Sequence, residues 1–228
     1  MLTEPEIHPE RTALDRALLA AAKARLAAGG GERPDAAAVA LRSLLTGSEP
    51  PQAKAALRAV LGRIDAATGR PMVVCGGVAQ VLAADRYGLG SRPLGVAEAA
   101  LRAVEGGSRA LIDLTLDRPW WGRLLARPDL RIVAALPDDA HARPQALLVS
   151  AEQTGPTGDD RSFWTTDCGW SDERIVAALS QLGLAATPLT ASGGLKLFML
   201  AGYVQVEDGR LDGAPGSLTG VIGAAPVF

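Results

Sequence analysis

The feature that most constrains this chain is an abrupt change of pattern at Pro71. Met72-Val73-Val74-Cys75 is a short, uninterrupted apolar run that enters Gly76-Gly77 and then a helical period over Val78 to Tyr87. That is the pattern of a strand, a tight turn and a helix. Further on, a helix over Val96 to Val104 passes through Gly106-Gly107 to a strand over Ala110 to Leu114. The segment around Trp120-Trp121 then leads to a strand over Leu130 to Leu136. Strands alternating with helices predict a largely parallel sheet.

Ahead of Pro71 the pattern is helical. Leu14, Leu18, Leu19, Ala22 and Leu26 share one face of a helix over residues 10 to 28, which stops at Gly29-Gly30-Gly31. A second helix spans Asp35 to Leu45, and a third runs from Pro51 to Thr68. Beyond the polar linker Pro137 to Pro144 the order is strand Ala146 to Ser150, strand Arg161 to Thr166 and helix Asp172 to Leu182. Strands Ala185 to Thr190, Leu195 to Val204 and Leu218 to Ile222 follow. Ser171 is the expected N-cap, with Asp172 and Glu173 favourable toward the helix dipole. The expected class is therefore mixed α/β, in three regions: helical over 1–70, βα over 71–142 and α+β over 143–228.

Composition narrows the function. With 48% apolar and 21% charged residues, the 228-residue chain can bury a sizeable core. Its 23 basic and 25 acidic residues give a net charge of −2, with no basic cluster suited to nucleic acid or anionic lipid. No apolar run approaches the ~20 residues of a spanning helix. The polar stretch Met1 to Arg11, with three glutamates, lacks the pattern of a secretory or transit signal, so a cytoplasmic location is expected. Cys75 and Cys168 match no metal spacing and are expected as reduced thiols. His8 and His141 are expected at the surface, and no cofactor is called for.

Several landmarks occur in order. They are Leu14-Asp15-Arg16-Ala17-Leu18-Leu19 with Arg25, then Pro119-Trp120-Trp121, then Arg131 to Pro137. Gly158-Asp159-Asp160-Arg161-Ser162, Ala201-Gly202-Tyr203-Val204, Glu207 to Leu211 and Val221-Ile222-Gly223 complete the set. On these the chain resembles bacterial proteins in which a helical chorismate mutase domain precedes a reduced prephenate dehydratase-like region and an ACT-like unit. The resemblance implies a role in aromatic amino-acid metabolism. Its ligand would be a small carboxylate (chorismate, prephenate or an aromatic amino acid), and its partner a homodimer mate or another enzyme.

The resemblance also implies a site and its damage. Mutases of this type stabilise a pericyclic transition state with preorganised cations. Here those cations would be Arg25, Arg11 and Arg63 as catalytic residues, with Arg16 and Thr68 toward the ligand. The family's lysine-bearing helix is replaced by Gly29-Gly30-Gly31, its Arg-Glu pair by Ala36-Ala37, and its closing Gln by Met72. Asp160-Arg161-Ser162 stands where the dehydratase carries Thr-Arg-Phe. Arg161 there either clamps a carboxylate or pairs with Asp159 or Asp160. The expectation is a catalytically impaired relative that binds a small carboxylate or a partner. The alternatives are an active mutase with a rearranged site drawn from Arg11, Arg16, Arg25, Arg33 or Arg63, and a structural or interaction protein. Gly76-Gly77 reads as a tight turn before an anion cradle, and Trp120-Trp121 as one core tryptophan beside a partly exposed one.

Overall fold

The computed structural model describes residues 51 to 228, with isolated positions ahead of them. The expected helices over 10–28 and 35–45 lie outside the described residues.

Helix α1, Pro51–Thr68, opens on a proline and places Leu57, Leu61 and Asp65, one helical step apart, on its buried side. The chain then forms β1 (Met72–Cys75), α2 (Gly77–Tyr87), β2 (Arg92–Leu94), α3 (Ala97–Glu105) and β3 (Arg109–Asp113). A 3-10 turn over Trp120–Ala126 leads to β4 (Arg131–Leu136) and β5 (Ala146–Ser150). The remainder supplies β6 (Asp160–Thr166), α4 (Asp172–Gln181), β7 (Ala186–Ser192), β8 (Leu195–Ala201), a second 3-10 turn over Gly209–Gly213 and β9 (Thr219–Pro226). The N-cap of α4 is Ser171, whose hydroxyl accepts from Arg174 N at 3.4 Å.

The nine strands among the described residues form one sheet in the order β2-β1-β3-β5-β4-β9-β6-β8-β7. The mixed α/β class holds, but the expectation of a largely parallel sheet is corrected. Only β1–β2, β1–β3 and β4–β9 run parallel, while β3–β5, β4–β5, β6–β8, β6–β9 and β7–β8 are antiparallel. The reason is connection length. A parallel neighbour needs a crossover of a dozen or more residues, usually a helix. The links β4–β5 and β7–β8 are short, so each strand turns back antiparallel beside its predecessor.

Alternating side chains divide the core between the sheet's two faces. One face carries Val73, Cys75, Ile112, Leu147, Phe163 and Ile222 in one continuous cluster, covered by α3 and the Trp120–Ala126 turn. The other carries two separate clusters. Met72, Val74, Leu111 and Leu148 pack on Ala79, Ala83 and Tyr87 of α2, whereas Trp164, Phe198 and Leu200 pack on Ile175 and Leu179 of α4. Both Trp120 and Trp121 are buried, at 2% and 0% exposure, so the expectation of a partly exposed tryptophan is corrected. They meet edge to face at 6.1 Å, and Trp120 Nε1 donates to Asp113 O at 2.9 Å, satisfying the indole away from water.

Candidate functional site

The two halves of the sheet join weakly. β4 and β9 share a single register position, Ile132 opposite Gly223. On either side the ladders slip, β4 against β5 between Ile132 and Ala134, and β6 against β9 at Phe163/Trp164. Gly223, at φ 144, is required here because an added Cβ would lie 2.3 Å from Ile132 O and 2.4 Å from Ile132 N.

A cavity of about 450 Å³ opens at this seam. Its walls come from Asp129, Arg131 and Ile132 at the start of β4, Ala151 to Thr154 after β5, Tyr203 to Glu207 after β8, and Val221, Gly223 and Ala224 of β9. The lining is polar and much of it is held in place. Glu152, 8% exposed, accepts from Ser150 Oγ at 3.0 Å and pairs with Arg70 Nε at 3.1 Å. Arg131 Nη1 donates to Val221 O at 3.0 Å, and Tyr203 OH donates to Thr154 O at 2.8 Å. Asp129 and Glu207 also line the cavity, and no ion pair engages either of them among the described residues. Strand ends and loops around a break in a sheet are a usual place for a ligand pocket, and 450 Å³ lies within the usual range of roughly 300–1,000 Å³.

Of the residues singled out by sequence, those that the structure describes are not brought to one site. Arg11 and Arg25 lie outside the described residues, Arg16 is exposed, and Thr68 is the last residue of α1. Arg63 is exposed on α1, with its side chain beside Gly88. Arg161 is 4% exposed and donates to Pro137 O at 2.8 Å and to Ala142 O at 3.1 Å, fastening the loop after β4. Burial pushes its guanidinium below its ordinary pKa, against Asp139 and Asp159. Asp160 is turned the other way, accepting from Thr157 N and Thr157 Oγ1 at 2.7 Å each and from Gly158 N at 3.2 Å.

The arginines that do converge are ones that sequence reasoning missed. Arg86 Nε donates to Asp138 Oδ2 at 3.1 Å, Arg58 pairs with the same carboxylate, and Arg86 also donates to Arg58 O. The Arg86 guanidinium lies over the rings of Tyr87 and Phe228, at 5.6 and 5.5 Å. Burial, and then the neighbouring charges of Arg86 and Arg161, depress the Arg58 pKa against the pull of Asp139 and Asp85. This network ties α1 and α2 to the loop after β4. Gly62 completes it, since an added Cβ would lie 1.9 Å from Arg86 O. A signal existed in the sequence: Ala79, Ala83 and Arg86 fall on one helical face, so a charge sits where the period demands an apolar residue.

Gly76-Gly77 forms the expected tight turn. The N-terminus of α2 is occupied internally, because Asp113 Oδ2 accepts from Val78 N at 3.1 Å and Oδ1 accepts from Thr115 N and Thr115 Oγ1 at 2.8 Å each. Gly76, at φ 100, leaves room for that carboxylate. Among the described residues no group of three or more His, Cys, Asp or Glu is arranged to hold a metal ion.

No protein-family model matches the chain, and no curated protein matches it. A solved structure described as "GqqA- a novel type of quorum quenching acylases" shares 15% identity at a TM-score of 0.48, over 70% of this chain and 96% of that one. A likeness that distant fixes neither fold nor chemistry. The resemblance to chorismate mutase, prephenate dehydratase and ACT-like proteins is corrected by these findings. No model or protein of those families matches. The role in aromatic amino-acid metabolism, whether as an impaired relative or as an active mutase, is withdrawn with it. The physical reason is visible in the described landmarks: Ile132 to Leu136 is buried strand, Trp120-Trp121 is core, and Gly223 answers a backbone contact. Such residues report packing that many α/β chains share.

Proposed function

We propose that the protein binds a small zwitterionic molecule in the seam cavity. The observation that carries this is one chamber of about 450 Å³ whose lining contains both Arg131 and the carboxylates Asp129 and Glu207, which no ion pair engages among the described residues. A ligand amine facing Asp129 and Glu207, with its carboxylate toward Arg131, would be complemented at both ends. The fixed positions of Glu152 and Tyr203 favour a preorganised wall, which lowers the ordering cost of binding.

A cytoplasmic location belongs to the same proposal. Its support is the pair of free thiols, Cys75 buried and Cys168 partly buried. Among the described residues no helix is long and apolar enough to cross a membrane.

The test is isothermal calorimetry of the full chain with a panel of free amino acids, their N-acetyl derivatives and their amides. Binding by the zwitterions, lost on blocking either end and weakened at least about tenfold by Arg131→Gln, is the expected result. Equal affinity for blocked and free forms would refute it, as would silence across the panel.

A further inference from the structure

A second cavity, of about 320 Å³, lies where β1, β2 and β3 begin, at the same end of the sheet as the seam cavity but sharing no lining residue with it. Its polar side chains are Tyr87, Ser91, Arg92 and Ser108, with Gly88 and Gly90 supplying backbone. No carboxylate lines it, in contrast to the seam. None of the polar side-chain groups of Tyr87, Ser91, Arg92 or Ser108 makes a hydrogen bond or ion pair among the described residues. Arg63 stands at its rim, since a Cβ added to Gly88 would lie 3.7 Å from Arg63 Cγ.

We infer that this cavity is a binding site for a small molecule bearing a phosphate group, held by Arg92 and Arg63 and by the hydroxyls of Ser91, Ser108 and Tyr87. Three hydroxyl donors and two guanidinium groups, with no carboxylate in the lining, match an anion with several acceptor oxygens. Burial holds the Tyr87 phenol above its ordinary pKa, so it remains a donor at neutral pH. Helices α1 and α2 both end near this cavity, and each C-terminus carries roughly half a negative charge. Two full arginine charges outweigh them. The glycines of the Gly88–Gly90 loop carry no side chain to obstruct close approach of a ligand, and at Gly90 an added Cβ would meet nothing within 4 Å.

The site is independent of the seam cavity, and its test does not depend on that reading. Inorganic phosphate, glycerol phosphate and acetate are titrated into the full chain, following amide shifts of Gly88, Gly90 and Ser108 by NMR. Phosphate and its monoester are expected to shift these amides saturably, and acetate to do so at least about tenfold more weakly. Arg92→Gln and Arg63→Gln, both at exposed positions where folding is insensitive, should each weaken phosphate at least about tenfold. Arg118→Gln, on a distant exposed loop, should leave it unchanged. Absent shifts, shifts spread over the surface, equal response to acetate, or an Arg92→Gln affinity matching the unmodified chain would each overturn the assignment.

Discussion

Replacing Gly223 by alanine strikes the register position at which β4 and β9 pair, Ile132 opposite Gly223. The methyl group would lie 2.3 Å from Ile132 O and 2.8 Å from Ile132 Cα, whereas ordinary contact begins near 3.4 Å. The opposing strand must retreat by about 1 Å, and both obstructing atoms are backbone, so no side chain can swing aside. The left-handed conformation at φ 144 adds strain of roughly 1–3 kcal/mol for a residue with a Cβ. Overpacking a closed contact adds roughly 1–3 kcal/mol more, giving about 2–6 kcal/mol in all. Against a typical stability of roughly 5–15 kcal/mol, the protein should fold but be plainly weakened. Urea denaturation followed by circular dichroism reads this as a lower midpoint at unchanged slope. Gly77→Ala is the internal control, because nothing lies within 4 Å of its added Cβ and the position is helical. A loss under about 1 kcal/mol for Gly223→Ala, or an equal loss for Gly77→Ala, would refute the reading of the seam as a forced backbone contact.

Further outcomes follow from the same geometry. Asp113→Ala removes the acceptor for Val78 N and for Thr115, and should cost roughly 1–3 kcal/mol by denaturant titration, while Asp117→Ala, on an exposed loop, should be near neutral. Arg161→Leu strands the carbonyls of Pro137 and Ala142 and should cost roughly 2–4 kcal/mol, with hydrogen exchange rising first in the 137–142 loop. Asp208 is held at about 2, below 3.8, first by the Arg210 side chain and then by the Arg210 N–H. Its folded pKa is depressed, so its contribution is present above pH 3.8 and is lost as pH falls through about 2. An NMR titration should find that midpoint, and Arg210→Ala should move it back up. Cys168 should react with a maleimide well before Cys75, whose thiol is buried and raised in pKa by burial and then by Asp113.

The fold was legible wherever local pattern decides the outcome. Pro51–Thr68, Met72–Cys75 and Ala146–Ser150 fall where apolar period and flanking Gly or Pro put them, and most other boundaries differ by one or two residues. Strand β2, Arg92–Leu94, was missed because three residues including a proline carry no periodicity; its partner β1 imposes the extended shape. Sheet direction was misread because a strand's pattern does not encode which neighbour it takes. The β4–β5 hairpin decides that through a link too short for a crossover. The candidate site was the least legible part. Arg131, Glu152 and Tyr203 come from segments distant in sequence, and only the break between β4 and β9 brings them to one chamber. Arg161, by contrast, was noticed as a cation, but its neighbours are backbone carbonyls that no motif records.

The most direct test of ligand binding at the seam is an NMR titration of the full chain with a zwitterion from the calorimetric panel, followed at the amides of Ile132, Thr154, Tyr203 and Gly223. Saturable shifts concentrated on these four, abolished by Arg131→Gln, are the predicted result. Shifts confined to other parts of the sheet, or unaltered by that substitution, would contradict binding at the seam.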